Sequence, residues 1–159
     1  MRKSVVGSEM EAEAGPGGWI ALERAARVEV SSEDDLFPIE SALVQRVTTG
    51  WRASETGPQV IRLLFDEAVA VRRMEVHVVE RAAERSQEFA IYAGDGGGEM
   101  REVVRQQFTF SPGGSTEEIE EYRVMLDGVR VLELRIDPDR SHEAAKSVNY
   151  ASLMALRVG

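Results

Sequence analysis

Residues 48–66 read TTGWRASETGPQVIRLLFD. A tryptophan stands in a polar stretch, Gly57-Pro58 breaks the chain, and a run that alternates apolar with polar residues follows as far as Asp66. In an extended strand successive side chains point to opposite faces, so Ile61, Leu63 and Phe65 fall on one side of a half-buried strand. Trp51, in a loop just before the break, is either a platform for a ligand or the plug at the end of a β-sandwich core. Its large apolar body suits the plug, with Arg52 pointing out.

The same period of two continues on both sides of this stretch. Upstream, Arg27-Val28-Glu29-Val30-Ser31 alternates and runs into the polar turn Ser31-Ser32-Glu33-Asp34-Asp35, while residues 20–26 fit either a helical turn or a strand. Residues 38–44 (PIESALV) suit a short helix with Pro38 in its first turn. Downstream, Met74, Val76 and Val78 alternate against Arg73, Glu75 and His77, and Phe89, Ile91 and Ala93 repeat the pattern. Gly94-Asp95-Gly96-Gly97-Gly98 supplies a hairpin connection to a strand over residues 101–110, which ends at Ser111-Pro112-Gly113-Gly114. Ser115-Thr116-Glu117-Glu118 has the S-x-x-E spacing of a capping box and predicts a short helix over residues 116–121. A short strand over 122–126, a tight turn at Asp127-Gly128 and a strand over 131–137 with Leu132, Leu134 and Ile136 inward follow. Residues 138–148 read as a polar loop and 151–158 as a last strand. Many short strands with brief helices predict an all-β sandwich.

The chain has 159 residues and no cysteine. That length suits one domain, here residues 19–159, preceded by a lead-in over residues 1–18 that ends in Ala14-Gly15-Pro16-Gly17-Gly18. Without cysteine there is no disulfide, thiolate nucleophile or sulfur-bound zinc. The formal charge of −9 repels nucleic acid and anionic membranes, and only Lys3 and Lys146 are lysines, most arginines lying beside an acid. The N-terminus lacks the apolar run of a signal peptide, and no apolar stretch approaches a membrane span. A cytoplasmic location is expected.

The run VEVSSEDD (28–35), IESAL (39–43), GWRAS (50–54), QVIRLLFDEAVAVRRMEVHVVE (59–80), QEFAIYAG (87–94) and a closing strand resembles the discoidin or coagulation factor 5/8 type C family, the galactose-binding-like jelly roll. SSEDD, ESALV and WRASETG, within residues 31–94, are also similar to the N-terminal domain of the X-ray repair cross-complementing scaffold proteins. The resemblance covers residues 28–158. It implies a jelly-roll β-sandwich with one or two short helices, and a structural role for Trp51 at one end. Carbohydrate-binding members hold a calcium in the loop before this tryptophan. The matching positions here read Val44-Gln45-Arg46-Val47, with an arginine where a carboxylate would help, which argues against that site. No metal and no cofactor are expected, and Glu33, Asp34 and Asp35 read as a solvated turn.

In such modules the ligand meets loops at one end of the sandwich. Residues 48–58, 81–87 and 137–149 are those loops, and Arg52, Glu55, Arg85, Arg140 and His142 are the candidate ligand-binding residues, being planar donors and acceptors that hold hydroxyls or carboxylates. Trp19 is a second aromatic candidate, equally suited to anchoring the first strand. His77 and His142 lie in no nucleophile or metal-binding spacing, and GDGGGE (94–99) is a turn, not a phosphate loop. The expected function is a non-enzymatic module binding a carbohydrate or other small polar ligand. The alternative is a protein-interaction scaffold with an exposed apolar sheet face near Val103, Leu126 or Val131.

Overall fold

Residues 59–79, which the sequence breaks into two alternating runs, form one continuous strand whose alternation changes parity part-way along. The structure is a computed structural model that describes residues 16–81, 84–139 and 150–159. Strands β1 (Ala26–Val30), β2 (Trp51–Thr56), β3 (Gln59–Val79), β4 (Arg85–Gly94), β5 (Met100–Phe110), β6 (Glu117–Asp137), β7 (Tyr150–Leu153) and β8 (Ala155–Val158) dominate it. Among the described residues, two one-turn helices, α1 (Leu22–Ala25) and α2 (Glu40–Leu43), and a 3₁₀ turn at Pro16–Gly18 are the remaining elements. Among the described residues no helix is long and apolar enough to cross a membrane.

All pairings between strands are antiparallel. The order is β1-β3-β6-β4-β5, with β8 also on β3 and a separate β2-β7 ribbon. β3 and β6 pair along nearly their full 21 residues each, from Gln59↔Ile136 to Val79↔Glu117, with register slips at three places between Leu64 and Arg73. At these bulges the two-stranded ribbon folds over on itself, the device by which strands pass from one layer of a sandwich to the other. The inward row changes parity there: Ile61, Leu63 and Phe65 are buried before the bend, Met74, Val76 and Val78 after it. Gly128, with φ 64, makes the matching bulge in β6 between buried Leu126 and Val129.

One layer is therefore β1, the first half of β3, the second half of β6, β4 and β5. The other is the first half of β6, the second half of β3, and β8. They meet at a residual void of about 10 Å³ between Ile61, Leu63, Ile91, Leu132 and Leu134 of the first layer and Met74 and Leu156 of the second. The fold is the expected all-β jelly-roll sandwich with two short helices.

Four local expectations differ. The S-x-x-E pair forms, Ser115 Oγ donating to Glu118 Oε1 at 3.0 Å, but residues 117 onward are strand, because β3 offers a continuous partner there. Asp127-Gly128 is a bulge inside β6 and not a turn between strands. Trp51 opens strand β2, paired to β7, instead of lying in a loop. Residues 151–158 form two strands, β7 and β8, broken at Met154, whose N–H donates to the His77 carbonyl.

The folded ribbon gives the sandwich two unlike ends. At the bend end lie the β4-β5 glycine turn and the β6 bulge, where Arg130 donates to the Asp66 carbonyl. At the open end lie the starts of β3 and β4, the end of β3, and the β2-β7 ribbon. The outer face of the first layer carries a charge ladder. Glu29 and Glu133 take Arg62 between them, Arg135 donates to Glu133 and covers the Tyr92 ring at 3.8 Å, and Arg105 joins Tyr92, Glu102 and Glu88.

Candidate functional site

The polar turn at residues 31–35 is held by its own side chains. Ser32 Oγ donates to Gln59 Oε1 at 2.7 Å and accepts from the N–H groups of Ser54 and Glu55. Asp34 N–H donates to the Arg52 carbonyl, and Arg52 N–H to the Phe37 carbonyl. Glu33 accepts from the Ile39 N–H and Asp34 from the Leu36 N–H. These acids thus cap a loop, and among the described residues no three His, Asp or Glu side chains converge as a metal site. The turn fixes Trp51, which is 2% exposed and donates its indole N–H to the Ser32 carbonyl at 3.0 Å. The tryptophan is core, as its size implies.

Gly50 shapes the next feature. Its φ is 76°, and a Cβ there would lie 3.0 Å from the Leu153 carbonyl oxygen, so β7 approaches β2 closely only because the residue is glycine. Between the two, at the open end, is a cleft of about 240 Å³. Phe37, Leu153 and Met154 give it apolar walls, Arg52 and Arg81 flank it, and Glu80 and Ser152 reach it from below.

Beneath the cleft is a buried polar cluster. Arg85, 3% exposed, pairs with Glu80 Oε2 at 2.9 Å and donates to the Tyr150 carbonyl at 2.8 Å and to Ser152 Oγ at 3.3 Å. Gln87 is fully buried and donates to the Ser152 carbonyl at 3.4 Å. Asp139 is buried and within electrostatic reach of Arg85. Burial pushes the Arg85 guanidinium below the ordinary arginine range, Glu80 opposes that, and Arg52 adds to it by like-charge repulsion. A larger depression of about 560 Å³ lies at the bend end, but none of the buried polar side chains lines it. Buried polar groups converging under a concavity mark a built site, so the open-end cleft is the candidate.

The structure brings Arg52 and Arg85 together and separates Glu55 from them. Arg52, half-buried, faces the cleft. Arg85 is too deeply buried to meet a ligand as proposed from sequence, and acts as support below it. Glu55 is exposed near the far end of β2 and does not line the cleft. Arg140 and His142 lie outside the described residues. Trp19 is half-buried, and the Arg73 guanidinium covers its ring at 3.7 Å while donating to the Gly17 carbonyl, so it anchors the segment before β1. Glu80, Arg81, Phe37 and Met154 were missed. Glu80 continues the inward row Met74, Val76, Val78, and Arg85 and Gln87 open the inward row Phe89, Ile91, Ala93. A charge that keeps the apolar register was the signal available.

The family model for anaphase-promoting complex, subunit 10 (APC10), matches residues 7–142. The chain belongs to the APC10 family. No curated protein sequence matches this APC10-family chain significantly. Its fold is similar to solved carbohydrate-binding modules. The family 32 module of NanJ from C. perfringens in complex with galactose superposes with a TM-score of 0.60 at 17% identity, over 88% of this chain and 96% of that one. The family 32 module of AlyQ in complex with 4,5-unsaturated mannuronic acid gives 0.60 at 19% identity, over 85% and 95%. A pectin-binding module gives 0.58 at 16%, over 86% and 91%. At these identities the likeness establishes the galactose-binding-like fold of the APC10-family chain, and the discoidin resemblance is supported only at that level.

Proposed function

We propose that this APC10-family chain is a non-catalytic protein-interaction module whose open-end cleft receives a short segment of a partner protein. The observation that carries this is the cleft itself: apolar walls at Phe37, Leu153 and Met154 between two arginines, Arg52 and Arg81, held over a buried Glu80–Arg85 pair. Its volume of about 240 Å³ lies below the roughly 300–1,000 Å³ of sites that enclose a drug-sized ligand. It suits one apolar side chain of a peptide, with neighbouring carboxylates on the arginines. Membership of a family named for a complex subunit supports the same reading. Trp51 borders the cleft but is only 2% exposed, too little for a sugar ring to stack on, and Arg73 and Arg135 already cover the rings of Trp19 and Tyr92.

A second reading, a carbohydrate or other small polar ligand at the same cleft, is favoured by the galactose- and uronate-bound neighbours and by the two flanking arginines. Two experiments on one variant separate the readings. The tagged chain and its Arg52→Glu, Arg81→Glu form are used for affinity isolation from the source cells, and both are melted against a panel of mono- and oligosaccharides. Protein retained by the parent and lost by the variant, with a flat sugar panel, supports the interaction module. A sugar-dependent rise in melting temperature that the variant abolishes supports the second reading.

A further inference from the structure

The first half of β6, residues 117–126, pairs with β3 on one side only. The second half pairs with both β3 and β4. Among the described residues no strand covers the outer edge of residues 117–126, which leaves a row of main-chain N–H and C=O groups roughly 33 Å long open to pairing. Such edges are a template for an added strand unless their side chains discourage it.

The side chains here select more than they discourage. Ile119, 53% exposed, and Met125, 73% exposed, are two of the three large apolar side chains exposed among the described residues, and both stand on the outward row of this one edge. Glu117, Glu118, Glu120 and Glu121 crowd its first half. Glu117 leans toward His77 and Arg81, Glu118 accepts from Ser115, and Arg123 lies 4.0 Å from Glu121. β5, an edge strand of the other layer, differs. β5 carries both signs, its Arg105 is tied to Glu88, Glu102 and Tyr92, and it exposes no large apolar residue.

We propose that residues 117–126 are a strand-addition site for an extended basic segment of a partner protein, paired antiparallel and alternating cationic with apolar side chains. Residues directly opposite in an antiparallel pair lie about 4.5–5.5 Å apart at Cβ. The partner's outward row then places a cation beside Glu121 and apolar side chains beside Ile119 and Met125, and its other row places cations beside Glu118 and Glu120. Main-chain bonds supply affinity and the alternate side chains supply specificity. A second copy of this chain is the poorer occupant, because its own edge brings the same four glutamates. The site touches the open-end cleft only where Glu117 comes within 4.0 Å of Arg81, and its test at Ile119 and Glu121 does not depend on the cleft reading.

The test uses the full chain and a fluorescein-labelled nonapeptide. Laid antiparallel, the peptide sets arginine, valine, arginine, threonine and leucine opposite Glu117, Ile119, Glu121, Arg123 and Met125, with lysine, lysine, valine and threonine between them. A second peptide of the same sequence carries N-methyl groups on alternate main-chain amides, which keeps its charge and removes the ladder. The first peptide binds by anisotropy and slows amide exchange within residues 117–126. The methylated peptide, and an Ile119→Lys, Glu121→Lys variant whose melting temperature matches the parent, each lose on the order of tenfold in affinity or more. Equal binding of the methylated peptide would reduce the effect to charge alone and overturn the proposal. So would exchange protection confined to other residues, or a dimer of the chain that the peptide does not disperse.

Discussion

Replacing Arg62 by methionine keeps most of the side chain's stem and removes its guanidinium from a ladder whose middle member is dry. The Glu133 carboxylate is 3% exposed, whereas Arg62 and Arg135 are 41% and 48% exposed. Arg62 donates twice to Glu133 Oε1, at 2.8 and 2.6 Å, and Arg135 donates to Oε2 at 2.7 Å. Burial alone would raise the Glu133 carboxyl's pKa, but the hydrogen bonds and charges of the two arginines outweigh it and hold the group below its ordinary value of 4.5. Loss of Arg62 strands one oxygen of a buried carboxylate. Hydrogen bonds to charged groups contribute about 1.5–3 kcal/mol each, and the exposure of Arg62 discounts the pair, so the expected cost is about 2–3 kcal/mol at neutral pH. For a domain of this size that lowers the melting temperature by roughly 5–10 °C. Glu133→Gln alone costs about 1 kcal/mol, since the two arginines it releases reach water. Combined with Arg62→Met, it restores part of the loss, because no buried charge remains.

The pH dependence follows from the sign of the shift. A carboxylate with a depressed folded-state pKa stabilises the fold above its unfolded value and loses that contribution as the pH falls through the folded value. The parent's stability from Glu133 is thus complete above about 4.5 and lost below it. In Arg62→Met the carboxyl protonates more readily, so the difference between variant and parent narrows in acid. Urea unfolding of the four proteins at neutral and acid pH measures all of this. An Arg62→Met protein within about 0.5 kcal/mol of the parent at neutral pH, the range of ordinary surface substitutions, would refute the reasoning.

Other substitutions test the open end. Trp51→Ala removes a core side chain and is expected to cost about 3–5 kcal/mol by chemical denaturation; unchanged stability with a lost ligand would make Trp51 a contact residue. Gly50→Ala is expected to cost about 1–3 kcal/mol through its positive φ and the Leu153 carbonyl 3.0 Å from the new Cβ, and to weaken binding at the cleft as β2 and β7 part. Arg85→Met leaves Glu80 without its guanidinium and is expected to cost about 3–5 kcal/mol, while binding by the folded fraction persists, as befits a supporting residue.

The two layers were legible because period two is written directly in Ile61, Leu63, Phe65 and in Met74, Val76, Val78. The bend between them was not. It depends on extra residues opposite a bulge, and Gly128, whose positive φ serves a bulge as well as a turn, reads locally as a turn. The segment after Ser115 misled for a related reason: a capping box is a local preference, and a 21-residue partner strand overrides it. Arg52 was found as a loop arginine near a tryptophan, although its position on the cleft depends on the pairing of β2 with β7, residues 100 positions apart that no local pattern joins. Arg85 has the donor chemistry of a ligand-binding residue, but it keeps the parity of Phe89 and Ile91 and so turns inward.

The most direct test of the cleft is site-specific photo-crosslinking in the source cells. The crosslinking amino acid is placed at Met154, on the cleft wall, and in a control at Gly97, in the bend-end depression. A discrete protein adduct from position 154, suppressed by Arg52→Glu with Arg81→Glu and absent from position 97, is the predicted result. Adducts from position 97 alone, or a cleft that captures no protein while a sugar raises the melting temperature, would contradict the account.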